Sequence, residues 1–267
     1  WEKISPDLTT NDPNKQKQEE SGGITTDNSS AENHCTIFTI CDSPFDENLI
    51  FIGTDDGNLQ MTSDGGKSWS KINSTLNGIP SQTWVSSIEA SKFDKNTLYA
   101  TFDNHMYGDM KTYAAKSTDL GKSWLVLNTQ GLNGAYAHKI KEDLINKNLL
   151  FLGTEMGLFF SLDGGFNWAQ HTAKVPPTAI RDIQIDPINN DLILATHGRG
   201  ILIIDDISAL RQLTSDVLKE DLAFLSTKEF AATGGHWGGA FPNAGGFVGD
   251  NASEEAQIMY YLKDRVT

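Results

Sequence analysis

The sequence predicts an all-β fold assembled from β-propeller blades, and three observations point to it. A short turn motif occurs three times, a strand pair recurs four times at a similar offset from it, and 24 glycines punctuate the 267 residues. Four antiparallel strands in each repeat of roughly 40–55 residues is the size of one propeller blade.

The turn motif is Thr62-Ser63-Asp64-Gly65-Gly66-Lys67-Ser68-Trp69, again Ser117-Thr118-Asp119-Leu120-Gly121-Lys122-Ser123-Trp124, and again Ser161-Leu162-Asp163-Gly164-Gly165-Phe166-Asn167-Trp168. Its pattern is Ser/Thr-x-Asp-x-Gly-x-Ser/Thr/Asn-Trp, with tryptophans 55 and then 44 residues apart. An aspartate in a tight turn accepts bonds from backbone N–H groups a residue or two ahead. The glycine, Gly66, Gly121 or Gly165, takes the positive φ of a hairpin corner. Trp69, Trp124 and Trp168 each open the next strand and bury a ring against the blade. The motif is thus a hairpin staple, with Asp64, Asp119 and Asp163 in a structural role.

The strand pair is clearest in Asp46-Glu47-Asn48-Leu49-Ile50-Phe51-Ile52-Gly53-Thr54 and Asn146-Lys147-Asn148-Leu149-Leu150-Phe151-Leu152-Gly153-Thr154. Looser copies begin at Asp94 and Asn190. Each unit reads strand, Asn/Asp-rich turn, strand, Gly turn, strand, motif turn, strand. Trp1-Glu2-Lys3-Ile4-Ser5 matches Trp69-Ser70-Lys71-Ile72-Asn73, so the chain is expected to begin inside a blade. The expected organisation is blades over 1–207, a linker with a short helix and a Gly-rich loop over 208–255, and a strand over 256–267.

Composition narrows the partners. The formal charge is −14, which disfavours nucleic acid and anionic membranes, since both need a positive surface. No stretch approaches the roughly 20 apolar residues of a membrane span. Cys35 and Cys41 are read as lying on one strand about 20 Å apart, beyond disulfide reach. The six histidines show no paired zinc-type spacing, so neither metal nor cofactor is expected. The polar stretch from Thr9 to Asn33 reads as a long loop, and its Gly22-Gly23 pair lacks the strand–helix setting of a phosphate loop. Three sequons begin at Asn28, Asn73 and Asn251.

The repeated turn resembles the Asp-box, or bacterial neuraminidase repeat, of sialidases, xyloglucanases and sortilin-type receptors. The wider chain resembles long bacterial proteins with sortilin-like propellers, often labelled glycosyl hydrolases. That likeness rests also on Ser21-Gly22-Gly23-Ile24-Thr25, Ser43-Pro44-Phe45-Asp46, Gly53-Thr54-Asp55-Asp56-Gly57, and the run from Ala195 to Ile207. It implies an incomplete propeller of about three to four four-stranded blades with Asp-box hairpins, followed by the start of an immunoglobulin-like β-sandwich. It also implies export to the periplasm, cell surface or medium, and the rest of the polypeptide to close the ring.

Sialidase chemistry, by the same resemblance, needs an arginine triad and a tyrosine nucleophile. The chain has four arginines, and only Arg181 and Arg199 fall within the blades, so the triad is absent here. A general glycosidase needs two carboxylates roughly 5–9.5 Å apart. Asp55 and Asp56 in a Gly-bounded turn, and Asp103 and Asp109 in a long second-blade insertion, are the candidates; each is also a plausible turn or loop residue. His197 and Arg199 in the last blade either face a ligand or bridge to a neighbouring blade. The reading is a non-catalytic, exported scaffold binding a protein, peptide or glycan, with a glycoside hydrolase as the alternative.

Overall fold

The computed structural model describes residues 2–17, 34–132, 135–227 and 257–264. It divides into two compact units, Trp1–Asp205 and Asp206–Thr267. Trp1, residues 21–25, the sequons at Asn28 and Asn251, His236, Arg265 and the Gly-rich stretch 234–249 lie outside the described residues.

The first unit holds four antiparallel blades. Blade I is β1 (Ile37–Ser43), β2 (Asp46–Thr54), β3 (Leu59–Thr62) and β4 (Ser70–Lys71). Blade II is β5 (Trp84–Ala90), β6 (Leu98–Asp103), β7 (Tyr113–Ser117) and β8 (Leu125–Val126). Blade III is β9 (Ala137–Glu142), β10 (Leu150–Thr154), β11 (Gly157–Ser161) and β12 (Ala169–His171). Blade IV has three strands, β13 (Ile180–Ile185), β14 (Leu192–Thr196) and β15 (Ile201–Ile204). The first strands β1, β5, β9 and β13 contact one another in succession, which is a propeller arrangement.

The middle of a blade's second strand is largely apolar on both faces because each face meets a different neighbour. On β6, Leu98, Ala100 and Phe102 pack with Phe51, Leu59 and Val85 of blades I and II. Tyr99, between them, packs with Ile140, Leu150 and Leu152 of blade III.

The repeated turns share one bonding pattern. The side-chain oxygen of Thr62, Ser117 or Ser161 accepts from the N–H of Gly66, Gly121 or Gly165 at 2.8–2.9 Å. The same hydroxyl donates to Asp64, Asp119 or Asp163. Each aspartate Oδ1 then accepts the N–H four residues ahead, of Ser68, Ser123 or Asn167, at 2.8–2.9 Å. That reach is longer than the one or two residues expected, because the turn coils through two positive-φ positions before the next strand. The tryptophan rings are half-buried rather than enclosed, a second departure from expectation.

What the rings and glycines touch is the preceding blade. Trp69 Nε1 donates to Ile4 O at 3.2 Å, and Trp124 Nε1 to Ile72 O at 2.7 Å. A Cβ on Gly66 would lie 2.5 Å from Ile4 O, one on Gly121 2.7 Å from Ile72 Cβ, and one on Gly165 3.0 Å from Leu127 Cδ1. Ile4, Ile72 and Leu127 each stand three residues after a Trp in the matching segment, so one repeat docks on the last. At the third turn Trp168 Nε1 is buried with no acceptor among the described residues. There Asn128 Nδ2 makes the crossing bond to Phe166 O at 3.3 Å.

In blade IV, Ile204 and Asp205-Asp206 occupy the place of Ser161 and Leu162-Asp163. The hydroxyl, the glycine and the tryptophan are missing, and the chain enters α1 (Ser208–Gln212) instead of a fourth strand. The second unit contains α1, a single 3-10 turn at Val217–Lys219, and β16 (Leu222–Leu225) paired antiparallel with β17 (Met259–Leu262). The segment expected to be linker therefore supplies a strand, and the partner of the expected C-terminal strand lies within this chain. Cys35 precedes β1 with a φ of +63°, and both cysteines are free thiols.

Gly121→Ala is expected to lower the unfolding free energy by about 2–4 kcal/mol, from a strained φ plus the clash with Ile72. Gly108→Ala has a φ of +75° and open space at its Cβ position. It is expected to lose only about 1–2 kcal/mol. Urea unfolding measures both, and equal losses would mean that the inter-blade contact carries no energy.

The turn carboxylates also make an acid prediction. Bonds from the Ser68 hydroxyl and N–H hold Asp64 down at about 2, and Ser123 lowers Asp119 in the same way. At Asp163 burial pushes upward and is outweighed by bonds from Asn167, Ser161 and Phe166. A carboxyl with a depressed folded pKa contributes stability above its unfolded value of about 4, and this is lost as pH falls through the folded value. Melting temperature is expected to drop below about pH 4, with a shallower slope in the triple Asp64→Asn, Asp119→Asn, Asp163→Asn variant. An unchanged slope would uncouple these carboxylates from the fold.

Candidate functional site

Strand parity sorts the loops onto two faces. The turns between first and second strands and the Asp-containing turns share one face: Gly65, Leu120 and Gly164 donate their N–H groups to Asn48, Asn96 and Asn148. The turns between second and third strands, and the crossings from one blade to the next, lie on the other. Asp55, Asp56, Asp103, Asp109, His197 and Arg199 all sit in or beside second-to-third-strand turns, and Arg181 is the second residue of β13, at that end.

Most of the carboxylates there are committed to the chain itself. Asp55 accepts from Thr36 N and Oγ1 at 2.8 and 2.7 Å. Asp56, 1% exposed, accepts from Thr10 N and Oγ1, both at 2.6 Å, and from Thr54 Oγ1. Burial raises its pKa, but these hydrogen bonds prevail and hold it low. With Leu8 O accepting from Asn58 and Gln60, Asp56 fastens the N-terminal segment across blade I, while Asp55 ties the turn to Thr36 just ahead of β1. They do not stand as two open carboxylates.

Every strand that lines the axis carries a β-bulge near its start, at the second residue of β1, β9 and β13 and the third of β5. The pairing registers skip Phe38, Ser86, His138 and Arg181. A bulge re-aims the unpaired side chain, and here it brings residues of adjacent blades together. Ser86 Oγ donates to Ala137 O at 2.8 Å. Arg181 NH1 lies 3.3 Å from His138 Nδ1, and NH2 3.3 Å from Glu155 Oε2. Arginine only donates, so His138 Nδ1 accepts and its proton sits on Nε2, 2.9 Å from Glu155 Oε2. Burial holds His138 below its ordinary value of 6.5. Burial raises Glu155, yet His138 and Arg181 bring it below the usual glutamate range.

Tyr136 extends this network to blade II. Its ring stacks on His105 at 4.6 Å and meets His138 edge-on at 5.1 Å. Asp103 in turn holds His105, accepting from its N–H at 2.9 Å and lying 2.7 Å from Nδ1. The structure thus brings Asp103 and Arg181 into one network, through four residues that sequence reasoning missed. Glu155 had a signal: Thr154-Glu155-Met156-Gly157 repeats Thr54-Asp55-Asp56-Gly57 with Glu155 in the Asp55 slot. Asp109 stands apart, accepting from Tyr113 OH at 2.7 Å and Asn104 Nδ2 at 3.2 Å. His197 and Arg199 expose their side chains, and neither forms an ion pair among the described residues.

The second-blade insertion, residues 104–112, is the longest of the second-to-third-strand turns. It forms a 3-10 turn at His105–Tyr107, closed by Asp103, Asn104 and Asp109, and Lys15 Nζ reaches Tyr107 OH at 3.1 Å. On this internally hydrogen-bonded loop Met106 is 74%, Tyr107 63% and Met110 47% exposed. Beside it opens a 490 Å³ cleft walled by Met110, Tyr113, Val126 and Leu132. A more polar 470 Å³ cleft occupies the corresponding place in blade I, between Asp56–Asn58 and residues 71–83. Among the described residues no group of three His, Cys, Asp or Glu is placed to hold a metal ion. No helix there is long and apolar enough to cross a membrane.

No family model and no curated protein matches this chain. Solved structures do resemble it. The GH74 xyloglucanase from Xanthomonas campestris superposes with a TM-score of 0.52 at 15% identity, covering 66% of this chain and 29% of that one. YCF48 bound to a D1 peptide gives 0.45 at 20%, covering 60% and 48%. The extracellular domain of BT4673 from B. thetaiotaomicron gives 0.47 at 16%, covering 68% and 22%. The chain spans about a fifth to a half of the length of such structures. At these identities the likeness is one of fold, a β-propeller scaffold.

His138 supplies a test of the network. Its neutral form is favoured on folding, as is that of His171, which burial also lowers. A group with a depressed folded pKa gives stability above its unfolded value that is lost as pH falls. Stability is expected to decline below about pH 6.5, and His138→Gln, which still donates to Glu155, should flatten that decline. Melting curves from pH 7.5 to 5 decide it, and an identical slope in the variant would place His138 outside the balance.

Proposed function

We propose that this chain is part of an exported, non-catalytic Asp-box propeller of the sortilin-like kind that binds a protein or peptide partner on the face opposite the Asp-containing turns. The observation that carries the reading is the insertion 104–112, a loop whose polar groups are engaged internally while Met106, Tyr107 and Met110 point to solvent. Preordered loops that display methionine and tyrosine bind with little ordering cost and suit interface hot spots. Export follows from the resemblance of the repeats to those of exported proteins. The exposure of Ile37, Phe38 and Ile40 on β1 supports the proposal that further blades cover that strand.

A hydrolytic reading has less support. A glycosidase acid needs a carboxyl with a raised pKa beside its substrate. Asp56, Asp109 and Glu155 are lowered. The carboxyl that burial raises, Glu142, is 2% exposed at the opposite end of its strand and bonded to Ser91, Lys92 and Tyr99.

The test is a random-peptide library selected on the whole chain. Selected peptides should lose at least tenfold in affinity, about 1.4 kcal/mol, on Met106→Ala with Tyr107→Ala, and keep it on Ile188→Ala, an 83%-exposed residue of the other face. Binding insensitive to the first pair but lost with the second would move the site. Xyloglucan or sialoside turnover abolished by Asp103→Asn would replace binding with catalysis.

A further inference from the structure

We infer that the 490 Å³ cleft beside the insertion takes a bulky apolar side chain of a polypeptide partner whose neighbouring residues are acidic. The inference rests on the binding-face reading and names the partner's chemistry.

Shape and apolarity come from the walls. Val126 and Leu132 enter from blade II's last strand and its outgoing crossing, Tyr113 closes one side, and Met110 forms an open lip. Tyr113 and Leu132 are 8% and 6% exposed, so the floor is fixed by the core, while Met110 is unbranched and adjusts to its guest. The exposed Met106 and Tyr107 continue the same surface outward. A small ligand filling the cleft would leave them in water, whereas a polypeptide covers both. A sugar would want an open aromatic platform, and the cleft's one ring, Tyr113, is buried with its hydroxyl held by Asp109.

Charge fixes the flanks. In a chain of net −14, the insertion's own carboxylates are engaged within it, Asp103 with His105, and Asp109, which lines the cleft, with Tyr113, Asn104 and the Lys111 N–H. Two lysines remain at its edges. Lys111, at the cleft rim, is exposed and forms no ion pair among the described residues. Among the described residues Lys15 hydrogen-bonds to the neutral Tyr107 OH and Gln82 Oε1, at 3.1 and 2.7 Å, and forms no ion pair. Lys111 on the cleft's rim and Lys15 beside Tyr107, on the surface a polypeptide would cover, complement carboxylates flanking an apolar residue.

The probes are acetyl-Glu-Leu-Glu-amide, acetyl-Lys-Leu-Lys-amide and methyl β-glucoside, titrated into the methyl-labelled chain and followed by NMR at Met106, Met110 and Val126. The acidic peptide should shift all three methyls and bind at least fivefold more tightly than the basic one. Lys111→Glu should reverse that order, and Val126→Phe, which fills the cleft, should abolish the response at Met110 while the fold's other methyl signals stay in place. Equal binding of the two peptides, a response to the glucoside as large as to the peptide, or an unaltered response in Val126→Phe would each overturn the inference. Silence to all three probes would also overturn it. The binding-face reading would still stand if library peptides depend on Met106 and Tyr107.

Discussion

A contact that leaves no room for a side chain joins each complete blade to the segment before it. Gly66, Gly121 and Gly165 lie against Ile4, Ile72 and Leu127, and two of the three tryptophans hand their indole N–H to a carbonyl of the same preceding segment. The hydroxyl and carboxylate that shape the turn are what bring that glycine to the surface of the neighbour. A turn that closes a hairpin thus also sets the spacing between blades. Where the motif decays, at Ile204-Asp205-Asp206, the blade ends at three strands.

This division of labour leaves the opposite face free to vary. The second-to-third-strand turns hold a pair of aspartates in blade I, a long insertion in blade II, Glu155-Met156 in blade III and a Gly-Arg-Gly turn in blade IV. The axial bulges vary in the same way, with Phe, Ser, His and Arg at one structural position. Varied chemistry on a constant frame is how loop-based recognition is built. The Asp103–His105–Tyr136–His138–Glu155–Arg181 network links that face across three blades.

How much of this the sequence discloses depends on the range of the interactions. The Asp-containing turns are legible because their bonds close within five residues, so spacing alone identifies them. The blade count is legible because the strand pair recurs with its turn. The axial network is not, since a bulge exists only when two strands are in register, and His138 and Arg181 stand 43 residues apart. Asp103 and Asp109 stood out as carboxylates, yet they serve as internal acceptors that turn the methionines of their loop outward. Leu222–Leu225 is four residues long and Leu225 pairs with Met259, 34 residues on, so nothing local distinguishes that strand from linker.

Hydrogen exchange reports most directly on whether the turns couple neighbouring blades. In Trp124→Phe an aromatic ring, smaller than the indole, is retained while the bond to Ile72 O is removed. The Ile72 N–H, bonded to Leu59 O within blade I at 2.9 Å, should then exchange about tenfold faster, the equivalent of one lost hydrogen bond, although the substitution lies in blade II. Faster exchange confined to blade II, with Ile72 protected as before, would contradict the account.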